Sequence, residues 1–197
     1  MFDQAYYRRF YEAGGQSVRT QRTVNPQARA VFALMESWGL QPRSALEAGA
    51  GPGFWKKWMA RFAPHTRVKS IDISLYACRR YGHELRDLSR WAPARPYDLV
   101  ICQDVLQYLT DAEATRAIRN LGKSTREILF LEVPTREDID GVIDDSATDL
   151  DIHLRPAAWY RVRLSKYFDQ VGAGLWLRRG GRTVLYALEA NHRIPRK

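Results

Sequence analysis

Between Glu47 and Gly53 the chain reads Glu-Ala-Gly-Ala-Gly-Pro-Gly, after a short apolar run and before an amphipathic one. Glycines at such a turn let a ligand lie against bare backbone, and they tolerate the positive φ angles that a sharp strand-to-helix turn can need. About twenty residues on, Asp72 ends a second run, Val68-Lys-Ser-Ile-Asp72, where a carboxylate can accept both hydroxyls of a ribose. This pairing is the chemistry of a nucleoside cofactor. A dinucleotide requires G-x-G-x-x-G, opening a helix whose N–H groups hold a pyrophosphate. Counted from Gly49, the last of those glycines falls on Phe54, and Pro52 removes a backbone donor that an anion would want. A pyrophosphate is poorly served.

The order Glu47-x-Gly49-x-Gly51-x-Gly53 resembles the first motif of the class I S-adenosylmethionine-dependent methyltransferases, and the resemblance runs from Ser44 to Glu189. Asp72 matches the family's ribose-binding acid. Arg86-Asp87-Leu88 resembles the segment that meets the adenine, and Tyr97 to Leu109 looks like the fourth strand and the helix after it. The resemblance implies S-adenosyl-L-methionine as cofactor and S-adenosyl-L-homocysteine as product. The cofactor-binding residues it implies are Glu47, Gly49, Gly51, Gly53, Asp72 with its neighbour Ile73, Asp87, Leu88 and Gln103. Glu47 would help to accept the methionine ammonium, and Asp87 would accept from the adenine amino group, with Leu88 packed beside the ring. Gln103 would sit near the sulfonium. Without a phosphate to bind, a proline in the loop is harmless. Glu47 and Asp72 also have a plainer use, as helix-capping or ion-pairing residues.

Methyl transfer is an in-line displacement at an activated carbon, so positioning can supply much of the acceleration. A base is needed only where the acceptor must lose a proton early. The candidate catalytic residues are Asp104, Tyr108 and His153. Asp104 and Tyr108 are four apart, which one helical turn would bring to one face. Their alternatives are a helix cap and a core aromatic. His153 follows an acidic loop and titrates near neutral pH, as a base or as a surface residue. Tyr6, Tyr7 and Tyr11 would line a lid suited to an aromatic or cationic acceptor. Asp144, Asp145, Asp149 and Asp151 match no calcium-loop spacing, and no metal is expected.

The elements that must position these groups alternate. Short strands are expected at Ser44–Ala48, Val68–Asp72, Glu84–Arg86, Tyr97–Cys102 and Ile128–Val133. Helices are expected over Phe2–Tyr11, from Asn25-Pro26 to Gly39, and over Phe54–Phe62, with Phe54, Trp58 and Phe62 on one face. Three more follow at Leu75–Tyr81, from the capping box Thr110-Asp-Ala-Glu113 to Gly122, and from Pro156 to Phe168. Two final strands, Val171–Arg178 and Thr183–Glu189, meet at Gly180-Gly181 as a hairpin. The pattern predicts an α/β fold: a doubly wound, mostly parallel, Rossmann-like sheet of seven strands with a C-terminal antiparallel hairpin. It forms one domain, with residues 1–40 as a helical cap, 41–197 as the core, and 134–155 as an acidic loop.

The 197 residues carry a formal net charge of +9, with 45% hydrophobic and 27% charged residues, as in a soluble globular protein. Two cysteines, Cys78 and Cys102, have no metal-ligand spacing, and no signal peptide or membrane span is apparent. A cytoplasmic location is expected. The function expected is methyl transfer to an unidentified small-molecule acceptor. RNA or protein methylation is the alternative that the positive charge supports, although no N-P-P-Y-type tetrapeptide follows the fourth strand. A non-catalytic binding module is the other. The acceptor atom and the oligomeric state are not legible.

Overall fold

A computed structural model describes residues 2–12, 19–139, 149 and 151–186 of the chain. Five parallel strands come first: β1 (Ser44–Ala48), β2 (Arg67–Asp72), β3 (Glu84–Leu85), β4 (Tyr97–Gln103) and β5 (Thr125–Glu132). A terminal pair, β6 (Phe168–Gly172) and β7 (Leu175–Arg178), completes a seven-stranded sheet in the order β3-β2-β1-β4-β5-β7-β6. β7 runs antiparallel to both of its neighbours. The strand order reverses between β1 and β4, and in such sheets ligands bind beyond the carboxyl ends of the strands at that switch point. Both the glycine loop after β1 and Asp104 after β4 lie there.

Alternation along each strand divides the core into two layers. Leu99, Ile101, Ile128, Phe130, Leu175 and Leu177 pack with α2 (Gln21–Ser37) and α3 (Phe54–Phe62). Val100, Cys102, Leu129, Leu131 and Trp176 pack with the helices Asp111–Ser124 and Ala157–Leu164 on the other face. Burial on both faces is why the central strands read as continuous apolar runs. On α3 the buried residues are Trp55, Trp58 and Met59, whereas Phe62 is 54% exposed, so the expected stripe through Phe54 and Phe62 is rotated.

Several elements depart from expectation, the last helix among them: it spans Ala157–Leu164, and Phe168, its expected end, opens β6. α2 begins at Gln21, not at Asn25-Pro26. Thr20 caps it in a reciprocal box with Thr23, and Val24 extends the buried stripe Ala28, Val31, Met35 upstream. Pro26 therefore sits inside the helix, where it forgoes one intrahelical N–H donation. The opening segment is α1 (Gln4–Tyr7) continued by a π-helical turn over Arg8–Glu12, not one regular helix. The hairpin turns at Gly172-Ala173-Gly174, where all three residues have positive φ, so the expected strand Val171–Arg178 is folded in two. Gly174 is pressed onto the neighbouring strand: a Cβ there would lie 2.9 Å from the Phe130 ring. Thr183–Tyr186 forms no strand, and the remainder of the expected Thr183–Glu189 lies outside the described residues. Among the described residues no helix is long and apolar enough to cross a membrane.

Candidate active site

The glycine loop is built as its composition requires. Gly49, Gly51 and Gly53 have φ of 69°, 53° and 71°. Gly49 and Ala50 donate to the Ile71 carbonyl, tying the loop to β2. The glycines differ in what surrounds them. A Cβ on Gly49 would stand 2.2 Å from a Val105 methyl, whereas one on Gly51 would meet nothing within 4 Å. Gly51 thus presents bare backbone to open space, the cradle that a nucleoside cofactor needs.

Two buried carboxylates hold this loop. Glu47, at 3% exposure, accepts from the backbone N–H groups of Trp55 (3.1 Å) and Lys56 (3.0 Å), capping α3. Burial pushes its carboxyl up to about 8, against the pull of those two donors. Asp72 accepts from Gly51 N–H at 2.8 Å and from Ser74 N–H at 2.7 Å, the latter at the start of α4 (Leu75–Tyr81). Burial raises its carboxyl as well. Glu47 thus takes the capping role that was its plainer reading, whereas Asp72 ties the glycine loop to the turn before α4, a helix capped by the Ser74 hydroxyl.

His83 completes the support. Its Nε2 lies 2.9 Å from the Gly51 carbonyl and its Nδ1 2.8 Å from the Ser70 hydroxyl. Burial lowers its pKa, so the neutral ring donates from Nε2 to the carbonyl and accepts the serine proton at Nδ1. Sequence reasoning passed over His83, a lone histidine between a short helix and a two-residue strand.

The N-terminal segment folds over the cradle. The Ser74 hydroxyl donates to the Phe2 carbonyl at 2.5 Å, and Tyr7 packs against Tyr76 and Tyr81. Tyr11 lies against Phe54 at the loop itself. The hydroxyls of Tyr6 and Tyr108 meet at 2.9 Å, with the Phe2 ring edge-on to both rings. Burial drives the Tyr6 hydroxyl up to about 12 and Tyr108 higher still, so both stay protonated near neutrality.

A polar network spans the carboxyl ends of β4 and β5. Arg19 Nε contacts Asp104 at 2.7 Å and its Nη2 contacts Glu132 at 2.7 Å. Gln27 donates to Glu132 at 2.9 Å, and Gln103 donates to Glu132 at 2.6 Å while accepting from the Trp55 indole at 2.8 Å. Burial raises the Asp104 carboxyl, against the pull of Arg19. Asp104 has φ 56°, a conformation that aspartate tolerates better than most residues. It is therefore not in a helix. A 3-10 turn, Leu106–Tyr108, follows it, so the helical-face argument for pairing Asp104 with Tyr108 does not hold. They are brought together differently, on the wall of one cavity.

That cavity measures about 740 Å³ and is bounded by Tyr6, Phe10, Tyr108, Tyr160 and Trp176, with Asp104 and Glu132 at one side. Tyr11, Arg19 and Asp104 are shared with the smaller pocket lined by Glu47, Gly49, Gly51 and Gln103. Asp87 lies apart from both, accepting from Ser89 N–H at 2.8 Å, beside the buried Leu88 at the end of β3. Ile73 is 53% exposed next to Asp72. His153 is exposed and absent from the cavity wall; its backbone N–H donates to the Gln107 carbonyl at 2.7 Å. Asp144 and Asp145 lie outside the described residues.

Residues 20–186 match the model of a family described as a methyltransferase domain. No curated protein shows significant similarity to the chain. Among solved structures, the chain is similar to the N-methyltransferase NodS from Bradyrhizobium japonicum WM9, in complex with S-adenosyl-L-homocysteine. Identity is 20%, covering 80% of this chain and 86% of that one, with a TM-score of 0.56. It is also similar to the magnesium protoporphyrin IX methyltransferase ChlM from Synechocystis PCC 6803 with the same product bound. There identity is 19%, covering 90% and 96% of the two chains, with a TM-score of 0.60. An S-adenosylmethionine-dependent methyltransferase from Clostridium acetobutylicum ATCC 824 gives 12% identity over 82% and 84%, with a TM-score of 0.59. At such identities the solved structures speak for the fold, and the family match speaks for the rest. The chain belongs to the class I S-adenosylmethionine-dependent methyltransferases.

Proposed function

We propose that the protein transfers the methyl group of S-adenosyl-L-methionine to a small-molecule acceptor held in the cavity of about 740 Å³. The observation that carries this reading is the shared wall. Tyr11, Arg19 and Asp104 border both that cavity and the glycine-loop pocket, so an acceptor and a cofactor would meet at these side chains. The size is that of an ordinary small-molecule site.

The cofactor supplies a methyl group already activated by sulfonium. The chain's own task is to bind and orient. Gly51 and its neighbours offer backbone, Asp72 accepts from ribose hydroxyls with the lone pairs that Gly51 and Ser74 leave free, and Asp87 with Leu88 receives the adenine. Glu47 and Gln103 line the methionine end. Asp104 offers a carboxylate oxygen at the junction to take a proton from the acceptor, and the hydrogen-bonded Tyr6–Tyr108 pair forms one wall of the cavity.

The test is turnover. The protein, with S-adenosyl-L-methionine, is offered a panel of small amines, alcohols and carboxylic acids, and separately total tRNA and denatured protein. Formation of S-adenosyl-L-homocysteine with a member of the small-molecule panel is the expected result. Turnover confined to RNA or protein would overturn the small-acceptor reading.

A further inference from the structure

The reading just given leaves the acceptor's chemistry open, and the cavity wall bears on it. The chain has a formal net charge of +9, yet the wall runs the other way. It carries the carboxyl groups of Asp104, Glu132, Asp138 and Asp149 against two guanidinium groups, Arg19 and Arg161. Arg19 is engaged by Asp104 and Glu132, and Arg161 is exposed to solvent. Asp138 accepts from the Thr135 N–H and hydroxyl, at 2.8 and 2.7 Å, and Asp149 accepts from the Asp151 N–H at 3.1 Å. Among the described residues neither has a cation within ion-pair distance.

A separate observation points the same way. Gln107 lies on the wall at 4% exposure, and its Oε1 has no hydrogen-bond donor among the described residues. A buried acceptor left unpaired costs about 1–3 kcal/mol; Oε1 is itself closed to solvent, so a ligand N–H recovers that cost only where the amide turns toward the cavity. The rings of Tyr6, Phe10, Tyr108 and Trp176 line the same space, and aromatic faces attract cations. An anionic acceptor would meet two carboxylates that no described cation pairs, against the single guanidinium of Arg161. A neutral alcohol would leave the carboxylates uncompensated.

We infer that the acceptor is an amine, protonated in free solution, with an aromatic or extended apolar body, and that nitrogen is the atom methylated. The ammonium gives a proton to the Asp104 carboxylate, which passes it to solvent. The freed nitrogen lone pair forms the N–C bond as the C–S bond breaks, and that bond's electron pair stays on sulfur. The products are the methylated ammonium and S-adenosyl-L-homocysteine.

The test uses three probes with one ring system and different charge: tryptamine, tryptophol and indole-3-propionate. Each is titrated calorimetrically into protein saturated with S-adenosyl-L-homocysteine. Tryptamine is expected to bind about tenfold or more tightly than either of the others, about 1.4 kcal/mol. In Asp149→Asn, which keeps the shape and the acceptor for Asp151, that preference is expected to shrink at least about threefold. Equal or tighter binding of the acid or alcohol, binding of none of the three, or an unchanged preference in the variant would overturn the inference. Absence of S-adenosyl-L-homocysteine binding in the first step would instead sink the cofactor reading beneath it.

Discussion

Two glycines in one loop separate folding from cofactor binding. Gly49 and Gly51 both have positive φ, so alanine at either incurs left-handed strain of about 1–2 kcal/mol. At Gly51 the added Cβ meets nothing within 4 Å, and the lower entropy of the unfolded chain returns about 0.4–1 kcal/mol. Gly51→Ala should therefore lose at most about 1.6 kcal/mol, a fall in Tm of no more than about 6 °C for a chain of this length. At Gly49 the Cβ would stand 2.2 Å from the Val105 methyl, and overpacking adds about 1–3 kcal/mol. Gly49→Ala should lose roughly 3 kcal/mol, or about 6–12 °C. Affinity should follow the opposite order. In Gly51→Ala the new methyl occupies the cradle, and S-adenosyl-L-homocysteine should bind at least about tenfold more weakly, about 1.4 kcal/mol. Differential scanning fluorimetry and calorimetric titration of both variants give the two numbers. If Gly51→Ala keeps affinity within about twofold of the parent, the open space beside Gly51 is not where the cofactor lies, and the reasoning fails.

Removal of the guanidinium in Arg19→Met leaves Asp104 and Glu132 facing each other without their shared cation. With these side chains 25–30% exposed, a loss of about 2 kcal/mol and a marked drop in turnover are expected, with melting and S-adenosyl-L-homocysteine release as readouts. His83 has a depressed pKa, so its neutral form favours the fold and its contribution is complete above the unfolded value of ~6.5 and is lost as pH falls below it. Between about pH 7.5 and about pH 5.5 the parent should therefore lose more Tm than His83→Gln; an equal loss would place the acid sensitivity elsewhere. Tyr6→Phe removes the 2.9 Å contact with Tyr108, and should cost about 0.5–1.5 kcal/mol while raising KM for the acceptor more than it lowers kcat.

Much of the cofactor side was legible because its signals are local. Glycines at alternate positions, an acid at the end of the next strand and apolar runs of strand length are all short-range patterns, and the switch point follows from their order. The parts that were not legible depend on distant contacts or on competition between local signals. Arg19 sits in a polar stretch with no pattern of its own, and its partners Asp104 and Glu132 lie 85 and 113 residues away. The start of α2 was misplaced because Asn25-Pro26 is a strong local signal, yet Thr20 and Thr23 cap earlier and Val24 joins the buried stripe. Gly180-Gly181 and Gly172-Ala173-Gly174 each satisfy the demands of a turn. What selects the second is the pairing of Leu175, Trp176 and Leu177 with β5. Asp104 and Tyr108 came together on the cavity wall through a left-handed residue and a 3-10 turn, a geometry that helical spacing does not foresee. For His83 the available signal was weak: a histidine beside a short strand, one strand away from the glycine loop it supports.

The central claim is that Glu47–Gly53 and Asp72 form a site for a sulfur nucleoside and not for a dinucleotide. Calorimetric titration of the unmodified protein with S-adenosyl-L-homocysteine and with NADH, repeated on Asp72→Ala, tests it most directly. Saturable binding of S-adenosyl-L-homocysteine, lost in the variant and not matched by NADH, is the predicted result. Binding of NADH alone, or S-adenosyl-L-homocysteine binding that survives the loss of Asp72, would contradict the account.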